Sequence, residues 1–191
     1  MRWLLCDYGE VLSLAPSAED RALLEEAARD PGPTFWTTYW EHRPGYDRGD
    51  VTVFEYWTAV LGWRPDPASL DRLMARDTAG WLHPNRESLS ATARAAKRGI
   101  RLAVLSNAPV EVAAAIDAMD WMGDFEPRLF SCHLRAVKPE RSIYVAALHA
   151  LGAGPEDVVF LDDRPANVAA ARELGIKAEL FLDPAQIDGV E

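Results

Sequence analysis

Asp7 ends the apolar run Trp3-Leu4-Leu5-Cys6. Further along, Ser106 and Asn107 follow the run 101–105, Lys138 comes after 128–131, and an acidic pair, Asp162 and Asp163, follows 158–161. A carboxylate in such a place can act as a nucleophile, dividing one difficult hydrolysis into two easier steps through a covalent intermediate. Two carboxylates that converge, as Asp7 and Asp163 would, repel each other unless a cation lies between them. A site built of oxygen ligands suits magnesium rather than zinc. Lys138 precedes Pro139 at the expected start of a helix, where a cation opposes the macrodipole; a bound anion such as phosphate would compensate both. The Ser106 hydroxyl and a donor from Asn107 would serve the same anion. Each residue alone also fits an ordinary turn or helix cap. Their joint occurrence after successive strands is what points to a site.

The elements that must position these residues alternate. A buried strand over 3–6 leads into a polar turn at Asp7-Tyr8-Gly9-Glu10. From 16 to 83 the texture is helical, in segments 18–29, 34–42, 53–61 and 67–78 divided by Pro and Gly, and five of the seven tryptophans lie there. After His83 the pattern predicts a helix over 86–97 ended by Gly99, a strand over 101–105, a helix opened by Pro109 and a strand over 128–131. A helix over 140–151, a strand over 158–161, a helix over 166–174 and a strand over 177–182 complete the series. Strands separated by helices need right-handed crossovers, which make them parallel and place helices on both faces. The predicted class is therefore α/β, a Rossmann-like parallel sheet with a small helical cap inserted after the first strand. The core would comprise 1–15 and 84–191, and the cap 16–83. Ligands in such sheets bind beyond the carboxyl ends of the strands.

With 191 residues, about half of them apolar, the chain can bury one substantial core and a small appended subdomain. A net charge of -10 disfavours a nucleic-acid partner, since that binding draws on cations releasing phosphate counterions. A small-molecule partner is expected instead, drawn in by local cations against the global field. Cys6 and Cys132 have neither metal nor redox spacing and read as buried thiols of a reducing compartment. The short apolar start and the absence of a spanning segment predict a soluble, cytoplasmic protein without a membrane partner.

Four segments, LLCDYGEVLS, LAVLSNAP, AVKPERSIY and VVFLDDRPANVAAARELGI, occur in the order found in the haloacid dehalogenase-like hydrolase superfamily, which the chain resembles. The resemblance is closest to capped phosphatases of the glucose-1-phosphate phosphatase group, where DRGDVTVFEYWTAVLG also looks like a cap helix with its lead-in. It implies that Asp7 is the nucleophile, that Ser106 binds the phosphoryl group and that Lys138 neutralises it. It also implies that an Asp of the 162/163 pair holds Mg2+. Successive strand residues point to opposite sides, so only one of the pair should face the metal directly; alignment with the family pattern favours Asp163, with Asp162 and Asn167 assisting.

Phosphatases of this family usually carry a second Asp two residues after the nucleophile, to protonate the leaving oxygen and then activate water. Here that position is Gly9, which offers a metal only its carbonyl. Glu10 is a possible substitute, though strand alternation aims it away unless the turn rotates it back. The expected activity is hydrolysis of small phosphate esters, sugar phosphates among them, and it is weak on poor leaving groups. Two other functions compete: a phosphate-ligand binding or regulatory protein of the same fold, and a 2-haloacid dehalogenase, against which the acidic pair argues. Trp36, Trp40, Trp57, Trp63 and Trp81 are expected mainly as packing within the cap. His42, His83, Arg43, Arg48 and Arg164 are further candidates that the spacing does not separate.

Overall fold

The computed structural model describes residues 2–29 and 32–190. Five parallel strands form one sheet in the order β3-β2-β1-β4-β5, with β1 Trp3–Cys6, β2 Arg101–Ser106, β3 Phe125–Phe130, β4 Val158–Asp162 and β5 Lys177–Leu180. All four residues of β1 are buried, as expected of a central strand covered on both faces. Alternation along the strands divides the core in two. Leu4, Cys6, Leu102, Val104, Val159 and Leu161 pack on one face with helices α5 (Arg86–Lys97) and α6 (Val110–Asp117). Trp3, Leu5, Ala103, Leu105, Val158 and Phe160 pack on the other with α8 (Arg141–Leu151) and α9 (Pro165–Glu173). The α/β sheet with helices on both faces agrees with the expectation from sequence.

Between β1 and α5 lie four helices, α1 Ala18–Ala27, α2 Phe35–Arg48, α3 Val53–Leu61 and α4 Pro67–Gly80, with a hydrophobic cluster of their own around Tyr39, Tyr56, Trp57 and Leu73. The chain leaves for these helices and returns from them side by side. Leu14 N–H donates to His83 O at 2.7 Å and Asn85 N–H to Leu12 O at 2.9 Å. Ser17, Thr52 and Asp66 cap α1, α3 and α4 with their side chains.

Several boundaries differ from the sequence expectation, most of them by one or two residues. Helix α2 does not stop near residue 42 but runs through Pro44 to Arg48, where Gly49 at φ 79° ends it. Tertiary contacts override the proline: Arg43 and Asp47 form a buried i,i+4 ion pair at 2.7 Å, and Tyr46 stacks on Tyr56 with centroids 4.3 Å apart. Strand β3 starts at Phe125 rather than 128, and a short helix, α7 Ser131–Leu134, follows it. Lys138 therefore sits in the connection between α7 and α8, several residues past the strand end to which it was assigned. A last short helix, α10 Ala185–Asp188, had no counterpart in the sequence reading. Cys6 and Cys132 are both buried and unpaired, and burial pushes both thiols up in pKa. Among the described residues no helix is long and apolar enough to cross a membrane.

Helix α2 is tied to the sheet layer by polar contacts. Ser131 Oγ donates to Asp47 O at 2.6 Å and accepts from Ala108 N–H at 2.9 Å, while Tyr46 Oη donates to Glu111 at 2.7 Å. Within the helices, the buried Arg43 guanidinium also pairs with Asp77 at 3.3 Å and contacts the Tyr39 hydroxyl. Burial raises the pKa of Asp47, so this cation is what keeps the carboxylates tolerable there. Arg43→Met is expected to lower unfolding free energy by about 3–5 kcal/mol in urea titration. A loss within experimental error would show that the network is not structural.

Candidate active site

Strand β1 delivers Asp7 to the carboxyl end of the sheet, and Asp7 N–H still bonds to Leu161 O at 2.9 Å. The carboxylate thus lies beside the end of β4. Oxygens of Asp7, Asp162 and Asp163 fall within 4.8 Å of one another. Among the described residues a single ammonium enters the cluster, with Lys138 Nζ 2.8 Å from Asp7 Oδ1 and 2.7 Å from Asp162 Oδ2. Tyr8 N–H also donates to Asp7 Oδ1 at 2.7 Å, which leaves Oδ2 without a protein partner among the described residues.

Asp162 is fully buried and heavily engaged. It accepts from Arg164 N–H at 2.8 Å and from Asn167 Nδ2 at 2.9 and 3.1 Å, besides Lys138. Asn167 is held in turn, its carbonyl accepting from Tyr144 Oη at 2.9 Å. Asp163 is half-buried and makes no hydrogen bond among the described residues. The sequence expectation has Asp163 making the direct metal contact and Asp162 assisting; β4 ends at Asp162, Asp163 belongs to the following turn, and each brings an oxygen into the cluster.

Three carboxylates around one ammonium leave an uncompensated negative charge, and the pKa directions reflect it. Burial, reinforced by Asp162 and Asp163 and opposed by Lys138, pushes the Asp7 carboxyl up to about 7. Burial raises Asp163 too, with Asp162 and Glu10 adding to it. For Lys138 burial disfavours the ammonium, but Asp7 and Asp162 outweigh it and hold the pKa above the ordinary lysine value.

The other expected residues divide. Ser106, the buried last residue of β2, lines the same cleft, of about 290 Å³, and its hydroxyl has no protein partner among the described residues. The Asn107 side chain, expected as a possible ligand donor, is committed elsewhere: Nδ2 donates to Lys138 O at 3.0 Å and Oδ1 accepts from Lys138 N–H at 2.8 Å. This two-way clamp fixes the lysine backbone and leaves Asn107 its main-chain N–H for a ligand. Gly9 has φ -62° and ψ 130°, which any residue adopts, so the backbone does not demand glycine. Glu10 takes a left-handed conformation at φ 58°, and this turn does rotate it into the cleft lining.

Trp40 and Trp81 also line the cleft, and Tyr8 Oη anchors Trp81 by donating to its carbonyl at 2.9 Å. Packing was the expected role for both, and it holds for the buried Trp57. Arg48 is paired with Asp50 and Glu140, and Arg43 with Asp47 and Asp77. Arg164 lies over the Trp40 ring, 5.8 Å from its centroid, at the cleft. His42 and His83 are exposed and line no part of it, His83 being bonded to Asp20 at 2.9 Å.

Residues 13–175 match the profile of haloacid dehalogenase-like hydrolases. The chain belongs to that family. Among curated proteins it is similar to bifunctional epoxide hydrolase 2 of Rattus norvegicus, 33% identical over 106 residues, which are 53% of this chain and 19% of the rat protein. The Mus musculus counterpart is 32% identical over 97 residues, 48% of this chain and 18% of its own. The chain therefore spans about a fifth of the length of these relatives. Among solved structures, the HAD family enzyme BT-2542 of Bacteroides thetaiotaomicron matches with a TM-score of 0.75 at 20% identity, covering 94% of this chain and 93% of that one. The same enzyme in complex with magnesium and inorganic phosphate gives a TM-score of 0.73. The L-2-haloacid dehalogenase RSc1362 matches at 0.72 with 19% identity over 93% of this chain and 85% of its own. At these identities the structural likeness establishes the fold.

Removing the one cation from this hydrolase cluster should expose its charge imbalance. Lys138→Met is expected to cost about 3–5 kcal/mol of stability in metal-free buffer at neutral pH, measured by urea unfolding. An unchanged midpoint would mean that the three carboxylates are not ionised together.

Proposed function

We propose that this hydrolase acts on small phosphate esters with the aid of magnesium, through a covalent intermediate on Asp7. The supporting observation is the convergence of three carboxylates within 4.8 Å on an excess of negative charge. An all-oxygen donor set of Asp7, Asp163, Asp162 and the Gly9 carbonyl fits magnesium. The magnesium and phosphate complex of BT-2542 supports the same reading. Bound there, the ion would neutralise the carboxylates and offset charge on the phosphoryl oxygens.

The residues of the chain do the rest. Lys138 Nζ, the Ser106 hydroxyl and Asn107 N–H hold the phosphoryl oxygens, while Asn167 and Arg164 N–H keep Asp162 in place. Asp7 Oδ2 attacks phosphorus as the bond to the leaving oxygen breaks, and that oxygen takes a proton from water. Water then attacks the aspartyl phosphate, releasing phosphate and restoring the carboxylate. With Gly9 in place of the usual acid, aryl, acyl and anomeric sugar phosphates should outpace simple alkyl phosphates. The four helices between residues 18 and 80 act as the cap over this chemistry. The ester is the one partner the reading needs, with neither nucleic acid nor membrane involved, and the cytoplasm suits the two free thiols.

A dehalogenase would use Asp7 against carbon, and the Lys138 ammonium alone would then face the three carboxylates Asp7, Asp162 and Asp163. Magnesium-dependent phosphate release that Asp7→Asn lowers by ~10³-fold or more is the expected result. Metal-independent chloride release from 2-chloropropionate would replace this reading with the dehalogenase one. Tight binding of phosphate esters without turnover would replace it with a binding role.

Gly9→Asp should raise turnover of alkyl phosphates by about tenfold or more by restoring proton transfer. There is room for it, since a Cβ at residue 9 meets the edge of Trp81 at 3.6 Å. A variant that folds and gains nothing would show that proton transfer does not limit the reaction.

The raised pKa of Asp7 has a sign that can be tested. In metal-free protein its ionised form is the disfavoured one. Its stabilising contribution is full below the ordinary carboxyl value of 3.8 and is lost as pH rises through about 7. Magnesium, which binds the ionised form, should therefore raise Tm more at about pH 8 than at about pH 5. Equal shifts at both would contradict metal binding at Asp7.

A further inference from the structure

Two tryptophans separate the cleft from a neighbouring space. This second cavity, of about 130 Å³, opens beside the cleft, among α1, α2, α4 and the turn after β1. Glu10, Trp40 and Trp81 line both spaces. The two indoles meet edge to face, with centroids 6.3 Å apart and planes at 83°, and Trp40 is 43% exposed. The boundary is therefore made of side chains, one of them at the surface.

The two spaces differ in chemistry. The polar groups that suit a phosphoryl end, Asp7, Lys138 and Ser106, line only the cleft. The annex has carbon walls from Pro16, Leu24, Trp36 and the two shared indoles, with the charged side chains of Glu10, Arg21 and Arg76 also in its lining. Its buried or half-buried carboxylates are already engaged. Asp20 bonds to Ser17 and His83, and Asp77 to Tyr39 and Arg43. A polar sugar would leave these carbon walls wet, whereas an apolar body would dry them. Together the two spaces fall within the roughly 300–1,000 Å³ of ordinary small-molecule sites.

We propose that the preferred substrate is a phosphate ester whose leaving group carries an extended apolar or aromatic body, seated past Trp40 and Trp81 in this annex. The inference rests on the phosphate-ester reading and narrows it to a substrate class. It makes the tryptophan pair a specificity determinant of the reaction. Burying each added methylene should favour binding by up to about fourfold.

The test compares phenyl phosphate with 4-pentylphenyl phosphate, whose leaving phenols are nearly equal in acidity, so that length alone varies. The wild-type enzyme should favour the longer ester in kcat/KM by at least about tenfold. Ala15→Phe places a ring in the annex from a half-buried loop position that does not line the cleft, and should bring that ratio towards one. Quenching of tryptophan fluorescence by phenylphosphonate and 4-pentylphenylphosphonate, neither hydrolysable, should show the same ratio and the same collapse. Equal inhibition of both proteins by inorganic phosphate checks that the variant is folded. If both esters are turned over but length makes no difference, or the preference survives Ala15→Phe, the annex assignment is overturned and the hydrolase reading stands. If neither ester is turned over, the hydrolase reading fails, and the phosphonate ratio decides the annex by itself: a preference that Ala15→Phe removes supports it, and its absence overturns it.

Discussion

Three carboxylates and one ammonium share a desolvated point at the end of the central strand, and the arrangement is short of positive charge. Asp162 is fully buried, Lys138 nearly so, and Asp7 little less. In such a setting charge cannot be left to solvent screening, so each oxygen must find a donor or a cation. The hydrogen bonds around the cluster follow from this requirement. Asn167 and Arg164 N–H serve Asp162, Tyr8 N–H serves Asp7, and the Asn107 clamp holds the lysine that serves both. Asp163, at the edge and without a hydrogen-bond donor among the described residues, marks the side on which compensation is weakest.

The sheet makes this density of charge tolerable. Its two faces are filled separately, by alternating residues of the same strands, so the strand ends cannot drift without disturbing both cores. The helices inserted after β1 are organised differently. Their interior is aromatic and carries its own buried ion network on Arg43, and they meet the sheet layer through specific polar contacts at Ser131, Glu111 and Arg135. Rigid carboxylates on one side and the aromatic walls of Trp40 and Trp81 on the other define the cleft.

Much of this was legible before any coordinates. Apolar runs of four or five residues alternating with longer amphipathic stretches announced a parallel sheet with crossover helices, because few other arrangements can bury such strands on both faces. The Pro and Gly that divide 16–83 gave the inserted helices, and the starts of three of them are closed by the local caps Ser17, Thr52 and Asp66. Asp7, Ser106 and the acidic pair stood out as polar residues directly abutting apolar runs. Lys138 was found through its motif, although a short helix separates it from the strand to which it was attached.

The sequence by itself determined the alternation of elements, hence the sheet and the end of it where chemistry must gather, since these follow from periodicity and local capping. Only the tertiary structure decided how the gathered residues divide their work. That Asn107 grips the lysine backbone, that both aspartates of the pair enter the cluster, and that α2 continues through Pro44 all depend on neighbours distant in the chain. Glu10 faces the cleft because a single residue takes a left-handed turn, which overrides the alternation that would have aimed it away. Trp40 and Trp81 become walls rather than filling because the chain leaves and re-enters the sheet at adjacent points, setting the inserted helices over its carboxyl end. Contacts of that kind are not encoded in local spacing; they arise from packing, where the partner of each residue is chosen by the whole fold.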